Sequence, residues 1–303
     1  MSMLVYQLGS KGTDVLAIQE ALIAKGLLSG PADGIFGAKT KAAVLAFQKK
    51  NGLARDGLVG PKTLQKLLPN KAFSLPPDPL GFAKGIDVSH RQGTLDWDAA
   101  ASAGIAFAYL KASEGDSIHD PYFQANWVSA AGGPVIRGAY HFFRTNKDPK
   151  EQANIFCMAV GKLAANDLPP ALDLETINEK TLSPAARGKA ALAWMEIVEK
   201  KLGKKPVLYC GKAFIDNNLG GSGQFSKYPL WLARYPLDKK QKSVGFADLS
   251  KTVFPSGLGL ENLAVWQFTG LGNLPKRVGR GSGYDLDVFN GDFAALKAFI
   301  ARS

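Results

Sequence analysis

The chain has 303 residues, of which 46% are hydrophobic and 21% are charged. This length fits two domains, and this composition excludes a disordered or collagen-like chain. An excess of 37 Lys and Arg over 26 Asp and Glu gives a formal net charge of +11. A polyanion is therefore the expected partner class, but the sequence lacks the zinc-finger, basic-region and RNP-like patterns that indicate nucleic-acid binding.

The N-terminal sequence and the cysteines indicate where the chain is made. Its first residues show no basic start followed by a long apolar stretch, and no window of about 18 apolar residues occurs anywhere, so we expect neither an export signal nor membrane insertion. The two cysteines, Cys157 and Cys210, are too few for a disulfide framework and lie in apolar runs. We expect buried free thiols and synthesis in a reducing cytoplasm.

An internal repeat occupies the N-terminal part of the chain. The segment Asp33–Thr40 recurs 23 residues later as Asp56–Thr63, with five of eight positions identical. Each copy begins with an Asp-Gly turn signal that leads into a helix. Apolar spacing predicts helices over Thr13–Lys25, Ala38–Lys50 and Pro61–Leu68, and therefore a small three-helix domain within residues 1–69.

Two Asp-Gly turns at one end of a bundle can hold a polar sugar or peptide. The predicted contacts are the carboxylates of Asp33 and Asp56 and an exposed aromatic ring, Phe36; turns that merely connect helices are an equal alternative. Over residues 4–68 the chain resembles the peptidoglycan-binding domain 1 family, in the segments Leu8–Val15, Asp33–Gly37 and Asp56–Gly57. This resemblance implies a cell-wall targeting role.

A linker and a series of apolar runs follow this domain. Residues 70–81 are rich in proline and predict an extended, semi-rigid linker. Residues 82–303 then contain eight predicted strands, with helices such as Ser183–Leu202 between them: Gly85–Val88, Phe107–Lys111, Val135–Phe143, Pro170–Leu174, Val207–Tyr209, Leu230–Ala233, Ala264–Phe268 and Asp285–Val288. This alternation predicts an α/β fold, an irregular TIM-like barrel with parallel early strands and a less regular close.

Acidic residues lie at the ends of four predicted strands, where such barrels place their chemistry. Asp173 and Glu175 are two residues apart on an extended run, so their side chains share one side and their like charges raise the proton affinity of one of them. Asp87 and Asp285 belong to the first and last strands, which a closed barrel makes neighbours. We expect the four acids to meet in one cleft and to supply a general acid, although each alone is typical of an ordinary polar residue.

Flat rings near the strand ends are candidate sugar-binding surfaces, with core packing as the alternative: Tyr140, Tyr209, Trp231, Tyr235 and Trp266. Of these, Tyr140 and Trp266 are the first choices. The histidines His90 and His141 are predicted to donate or accept hydrogen bonds around the cleft. Neither a metal site nor a cofactor is predicted, because the sequence has no HExxH motif and too few cysteines for a thiolate site.

From Gly85 to Phe289 the chain resembles glycoside hydrolase family 25, in the segments Gly85–Ser89, Lys111–Gly115, Gly138–Phe142, Asp173–Glu175, Leu230–Ala233, Trp266–Thr269 and Asp285–Phe289. The resemblance implies an N-acetylmuramidase that cleaves the β-1,4 bond between N-acetylmuramic acid and N-acetylglucosamine with net retention. Glu175 would protonate the leaving oxygen, and Asp173 would stabilise the oxocarbenium ion or orient the 2-acetamido group, with attack by Asp173 or Asp285 as the alternative. Asp287 stands where the family usually has Asn.

The order of the two domains is similar to that of bacteriophage endolysins, which are made in the host cytoplasm and reach the wall through a separate pore. We therefore expect a monomeric lysozyme that binds bacterial peptidoglycan, with anionic envelope polymers as a further candidate partner, no nucleic acid and no cofactor. Two alternatives are a non-catalytic envelope-binding protein and a barrel hydrolase of another N-acetylated glycan. Chitinases of that second kind carry a DxxDxDxE signature, which is absent before Asp173.

Overall fold

The computed structural model describes residues 6, 8–10, 13–53, 55–59, 63, 66–68, 82–177, 182–235, 254–272, 274, 275, 278–280 and 284–303. The chain forms two compact units, a small N-terminal one and a barrel. The predicted linker, 70–81, lies outside the described residues. None of the described helices is long and apolar enough to span a bilayer.

The described N-terminal unit is built around two helices, α1 (Thr13–Ala24) and α2 (Ala38–Lys50), close to the predicted bounds. Their apolar faces bury a common core: Val15, Ile18, Leu22, Val44 and Phe47. An antiparallel bridge between Tyr6 and Val59 joins the first described residue to the second repeat. Half of the predicted third helix, Pro61–Leu68, lies outside the described residues, and Thr63, Lys66 and Leu67 within it are helical.

The internal repeat builds the same hydrogen-bonded turn twice. In the first copy, Gln19 Nε2 donates to Asp33 Oδ1 at 2.8 Å, while Gln19 Oε1 accepts from the backbone N–H of Asp33 at 3.0 Å. In the second copy, Gln48 Nε2 donates to Asp56 Oδ1 at 2.7 Å, and Gln48 Oε1 accepts from the Gly57 N–H at 3.0 Å. The two aspartates therefore hold the turns, and their proposed contact with the wall stays a prediction.

The prediction that Phe36 is an exposed ring is wrong, because its side chain is fully buried in the core of the N-terminal unit. Its backbone N–H donates to Ser10 O at 2.8 Å, and its carbonyl accepts from the Gly9 N–H at 2.9 Å. Successive side chains of an extended segment point to opposite sides, so Ile35 is 46% exposed and Phe36 points inward. Phe36 is a core residue rather than a wall contact.

The second unit is a closed barrel, and all eight predicted strands are present. The structure has one additional short strand, β3. The nine strands are β1 (Lys84–Val88), β2 (Phe107–Glu114), β3 (Ile118–His119), β4 (Ile136–Phe142), β5 (Ala171–Asp173), β6 (Val207–Gly211), β7 (Leu230–Ala233), β8 (Leu263–Gly272) and β9 (Tyr284–Phe289). Strands β1, β2 and β4 to β8 pair in parallel, whereas β9 is antiparallel to both β8 and β1. The predicted irregular close is confirmed. The short β3 forms a hairpin with β2.

Helices connect most of these strands: α3 (Trp97–Ser102), α4 (Phe123–Ala130), α5 (Pro149–Val160), α6 (Pro184–Leu202) and α7 (Lys212–Asn218). A further helix, α8 (Phe293–Arg302), follows β9. The longest, α6, begins after Ser183, whose hydroxyl accepts from the Ala186 N–H, and ends before Gly203, which adopts the left-handed conformation at φ 72°. Both cysteines are free thiols. Cys210 is buried as predicted, but Cys157 is only half-buried, and burial raises its pKa to about 11.

Large rings fill the amino-terminal end of the barrel. An added Cβ at Gly85 would lie 2.2 Å from the Phe107 ring, and one at Gly138 would lie 2.7 Å from the Tyr109 ring. Glycine at these two positions therefore makes room for aromatic side chains. Tyr109 also stacks on Trp231 with ring centroids 4.6 Å apart. The packed rings leave the opposite, carboxyl-terminal end available for a cleft.

His141 lies in the core and not around the cleft, in contrast to the prediction. The ring is fully buried, stacks on Trp194 at 5.4 Å, and contacts Ser113 Oγ through Nδ1 and Gln152 Oε1 through Nε2. Burial lowers its pKa to about 4, so the ring is neutral near pH 7. Because Gln152 Oε1 can only accept, Nε2 carries the proton and Nδ1 accepts from Ser113.

Candidate active site

A cleft with a volume of about 560 Å³ opens where the parallel strands end. Its walls combine acids, cations, amides and aromatic rings, and include Asp87, His90, Arg91, Gln92, Lys111, Glu114, Tyr140, Arg144, Asp173, Glu175, Tyr209, Trp231, Tyr235, Gln267, Gly270 and Asp285. His90 thus lines the cleft as expected, with Nδ1 3.4 Å from Asp120 Oδ2. Such a large polar cleft suits an extended polar substrate.

All four predicted acids line this cleft. Asp173 is the last residue of β5, and Glu175 follows two residues later, while Leu174 between them is fully buried. Asp285 of β9 pairs directly with Asp87 of β1. The structure therefore brings together the acids that the strand-end rule selected from the sequence.

The four predicted acids of the cleft hold their protons to higher pH than free carboxyl groups do. Burial and the charge of Glu175 raise the pKa of Asp173 well above its usual value, with Lys111 acting in the opposite direction. Burial of the Glu175 carboxyl raises its pKa as well, again against the effect of Lys111. For Asp285, burial and the charge of Glu175 raise the pKa to about 6. A proton donor is therefore available near neutral pH.

An ion-pair cluster that the sequence interpretation missed borders these acids. Lys111 Nζ lies 2.6 Å from Glu114 Oε2, and the guanidinium of Arg144 pairs with the other carboxylate oxygen, Glu114 Oε1. The segment Lys111–Gly115, which contains Lys111 and Glu114, carried part of the family resemblance. Arg144 gave no sequence signal. The cluster places two cations beside the carboxylates of the cleft.

Gln267 is a second residue that the sequence interpretation missed. Its Oε1 accepts hydrogen bonds from Tyr209 Oη at 2.9 Å and Tyr235 Oη at 2.7 Å. Its Nε2 donates to Asp87 Oδ2 at 2.7 Å. The segment Trp266–Thr269 was noticed in the sequence, but the amide was not singled out. Gln267 joins the two tyrosines and an acid into one network.

Four of the five predicted aromatic residues line the cleft: Tyr140, Tyr209, Trp231 and Tyr235. Tyr235 is 44% exposed and offers the most accessible ring among them, whereas Trp231 is 2% exposed. Trp266, a first choice from the sequence, does not line the cleft. Side chains alternate along β8, so Gln267 faces the barrel interior while Trp266 is buried on the other side of the strand. Trp266 Nε1 donates to Arg234 O at 2.8 Å. Trp266 is therefore a packing residue.

Asp287 lies inside the barrel, 1% exposed, and does not line the cleft. Trp231 Nε1 donates to its Oδ1 at 2.8 Å. Asp287 pairs with Gly85 of β1 on one side and with Gln267 of β8 on the other. The sequence left open whether this extra acid faces away or adds local charge, and the structure places it next to the cleft network.

Comparison with known proteins relates this architecture to one family. The sequence profile described as Glycosyl hydrolases family 25 matches residues 86–276, which is more than half of the chain. The chain belongs to glycosyl hydrolases family 25. A second profile, Putative peptidoglycan binding domain, matches residues 11–67. Both resemblances seen in the sequence are confirmed.

The chain is also similar to individual proteins and solved structures. The chain is 32% identical over 237 residues to "Uncharacterized protein YegX" of Escherichia coli K12, covering 77% of this chain and 78% of that protein. It is 32% identical over 224 residues to "Lysozyme M1" of Streptomyces globisporus, covering 71% and 70%. The bacterial lysozyme from Streptomyces coelicolor superposes with a TM-score of 0.64 at 29% identity, over 74% of this chain and 99% of that one. The muramidase from Trichobolus zukalii gives 0.61 at 30% identity, over 73% and 100%.

Proposed function

We propose that this family 25 protein is a cell-wall lysozyme that hydrolyses the β-1,4 bond between N-acetylmuramic acid and N-acetylglucosamine of bacterial peptidoglycan. The observation that carries the proposal is the meeting of Asp87, Asp173, Glu175 and Asp285 in one polar cleft. Hydrolysis of a glycosidic bond needs a proton donor and a group that stabilises positive charge on the sugar. The cleft supplies candidates for both.

Glu175 is the proposed general acid. Its side chain is exposed to the cleft, so both a glycosidic oxygen and the attacking water can reach its carboxyl. Its raised pKa keeps a proton available at higher pH than for a free glutamic acid. After cleavage the resulting carboxylate deprotonates the attacking water.

Asp173 is the proposed partner of the substrate's 2-acetamido group. It is buried, and among the described residues no donor reaches its Oδ1. An acceptor without a donor in the free enzyme is available to the N–H of an acetamido group, which supports a substrate-assisted route. Direct attack by Asp173 or Asp285 is the alternative, and trapping of a covalent sugar–aspartate adduct would favour it.

The biological role proposed for this lysozyme is host lysis, as for phage endolysins. The N-terminal unit, which matches a peptidoglycan-binding profile, would hold the enzyme on its polymer. The net charge of +11 adds attraction to anionic envelope polymers. In this proposal the protein acts as a monomer, is made in the host cytoplasm and reaches the wall through a separate pore.

The direct test is mass spectrometry of fragments released from purified peptidoglycan, with borohydride reduction to mark new reducing ends. Wild type, Glu175→Gln and the control Glu196→Gln are compared; Glu196 is an exposed acid paired with Lys227 on the protein surface. Reduced muramic-acid ends from wild type and control, but not from Glu175→Gln, are the expected result. Reduced glucosamine ends would indicate a glucosaminidase. No new ends from any protein would favour a binding protein or a hydrolase of another glycan.

A further inference from the structure

Two carboxyl groups lie side by side within the barrel. Asp87 and Asp287 are diagonal neighbours on the antiparallel pair β1–β9, since Gly85 pairs with Asp287 and Asp87 pairs with Asp285. Both side chains are buried, at 8% and 1% exposure. The two carboxyls interact directly, since each changes the pKa of the other. Because an ionised carboxylate can only accept, a hydrogen bond between them requires a proton on one of them.

The neighbouring donors leave one oxygen of the pair available for a shared proton. Asp87 Oδ2 accepts from Gln267 Nε2 at 2.7 Å, and Asp287 Oδ1 accepts from Trp231 Nε1 at 2.8 Å. Among the described residues, Asp287 Oδ2 is buried and receives no donor. A buried carboxylate oxygen without a donor is costly. A proton shared between Asp287 Oδ2 and Asp87 gives this oxygen a hydrogen-bond partner.

We propose that Asp287 is a positioning residue that shares one proton with Asp87, and that loss of this proton sets the alkaline limit of hydrolysis; the second half of this inference rests on the proposed function. With the proton present, Asp87 is held by two hydrogen bonds, one from the Gln267 amide and one shared with the Asp287 carboxyl. Without it, two carboxylates face each other in the barrel. Asp87, which lines the cleft, then turns away from its position in the network.

The groups packed around Asp287 retain the proton. From β1 the facing titratable group is Asp87, from β2 it is Tyr109, and on β9 itself it is Asp285. Tyr235, after β7, also faces it. Burial raises the pKa of Asp287 well above its usual value, and the charge of Asp285 adds to this, while hydrogen bonding with Trp231 and Asp87 acts in the opposite direction. Burial first, and then Asp287, raise the pKa of Asp87.

The substitution Asp287→Asn removes the titrating carboxyl and keeps the shape of the side chain. Asparagine accepts from the Trp231 indole and donates to Asp87 at every pH, so it mimics the protonated acid without titrating. We expect the ratio of kcat/KM at about pH 8 to that at about pH 5 to rise about tenfold over the ratio for wild type. Asp287→Leu, which provides neither hydrogen bond, should lower kcat/KM about tenfold or more at both pH values.

A second readout does not depend on activity. At about pH 7 the folded wild type holds a proton that its unfolded chain releases, so Asp287→Asn should release about one proton fewer on unfolding in guanidinium. The control is Asp292→Asn, which removes a carboxyl outside the cleft and keeps an N-cap side chain for α8. The control should match wild type in both measurements.

The possible results distinguish this inference from the proposed function. A shifted pH ratio together with a lower proton release supports both the shared proton and its role. Equal proton release by wild type and Asp287→Asn overturns the inference, as does an unshifted pH profile despite a lower release. If wild type hydrolyses no peptidoglycan at either pH, the proposed function and the alkaline-limit role fail together, while the proton count still decides whether the pair shares a proton.

Discussion

Asp285 lies directly opposite Asp87 across the antiparallel pair of β9 and β1. In the parallel part of the barrel each strand contributes its cleft residues from its carboxyl end. The strand β9 runs the other way, so its cleft residue comes from its amino-terminal end, immediately after Tyr284. The irregular close of the barrel thus completes the set of four acids.

Gly270 provides space for this acid. A Cβ added at Gly270 would lie 2.9 Å from Asp285 Oδ1 and 3.6 Å from Tyr235 Oη. We expect Gly270→Ala to displace the Asp285 carboxyl and to lower kcat/KM about tenfold, with a change in Tm of only a few degrees. Turbidity loss of peptidoglycan suspensions and thermal unfolding measure the two effects.

Gly211→Ala, at the end of β6, is the matched control for that substitution. An added Cβ there meets only Ala233 O, at 3.9 Å. Its activity should equal that of wild type. If both alanine variants retain full activity, the Asp285 position does not depend on the space at Gly270.

The amide of Gln267 should be essential to the cleft network. Gln267→Leu removes the donor to Asp87 and the acceptor of two tyrosine hydroxyls, leaving buried polar groups without partners. We expect kcat/KM to fall about tenfold or more, and the free energy of unfolding to fall by about 1–3 kcal/mol. Steady-state kinetics and denaturant unfolding check this. Gln92→Leu, which removes another amide of the cleft wall, tests whether any such amide gives the same loss.

Neutral His141 should make part of the stability dependent on pH. Its pKa is about 4 in the folded chain against 6.5 in the reference state, so its contribution is fully present above about pH 6.5 and is lost as the pH falls towards 4. We expect the stability advantage of wild type over His141→Phe to shrink by about 3 kcal/mol over that range.

Denaturant unfolding of both proteins at a series of pH values measures this difference. The comparison between two proteins matters because Asp173 and Asp285 of the cleft change the stability with pH in the opposite direction. Their raised pKa values give stability that is lost as the pH rises, in wild type and variant alike. A constant difference between the two proteins from pH 7 to pH 4 would contradict the neutral-ring assignment.

The two glutamines that bind the turns of the repeat, Gln19 and Gln48, should stabilise the N-terminal unit without affecting catalysis. Gln19→Leu leaves the Asp33 turn without its donor and acceptor, and should cost about 1–3 kcal/mol in that unit. Retention on peptidoglycan, measured by co-sedimentation, should fall while hydrolysis of soluble glycan fragments continues at the wild-type rate. Glu20→Gln, an exposed change on α1, is the control. If Gln19→Leu is retained on peptidoglycan as well as wild type is, wall binding does not depend on this turn.

Salt should weaken attachment to the wall. Much of the attraction between a chain of charge +11 and anionic polymers is screened when the Debye length falls from about 10 Å at 0.1 M salt to about 3 Å at 1 M. Co-sedimentation across this range should show a progressive loss of bound protein. Binding that does not respond to salt would indicate recognition of neutral groups of the glycan.

The sequence by itself determined the repeat, the eight strands of the barrel and the four acids of the cleft. These features depend on short-range patterns: turn signals, period-two alternation and the rule that chemistry follows strand ends. That alternation alone places the side chains of Asp173 and Glu175, two residues apart, on the same side of the extended segment.

Only the tertiary structure decided which polar and aromatic side chains take part. Phe36, Trp266 and His141 are buried because partners distant in the sequence cover them, and no local pattern specifies those partners. The same holds for the contact of Gln267 with Asp87, which are 180 residues apart. Closure of the barrel through one antiparallel strand sets the register that joins them, since register depends on pairing between distant segments.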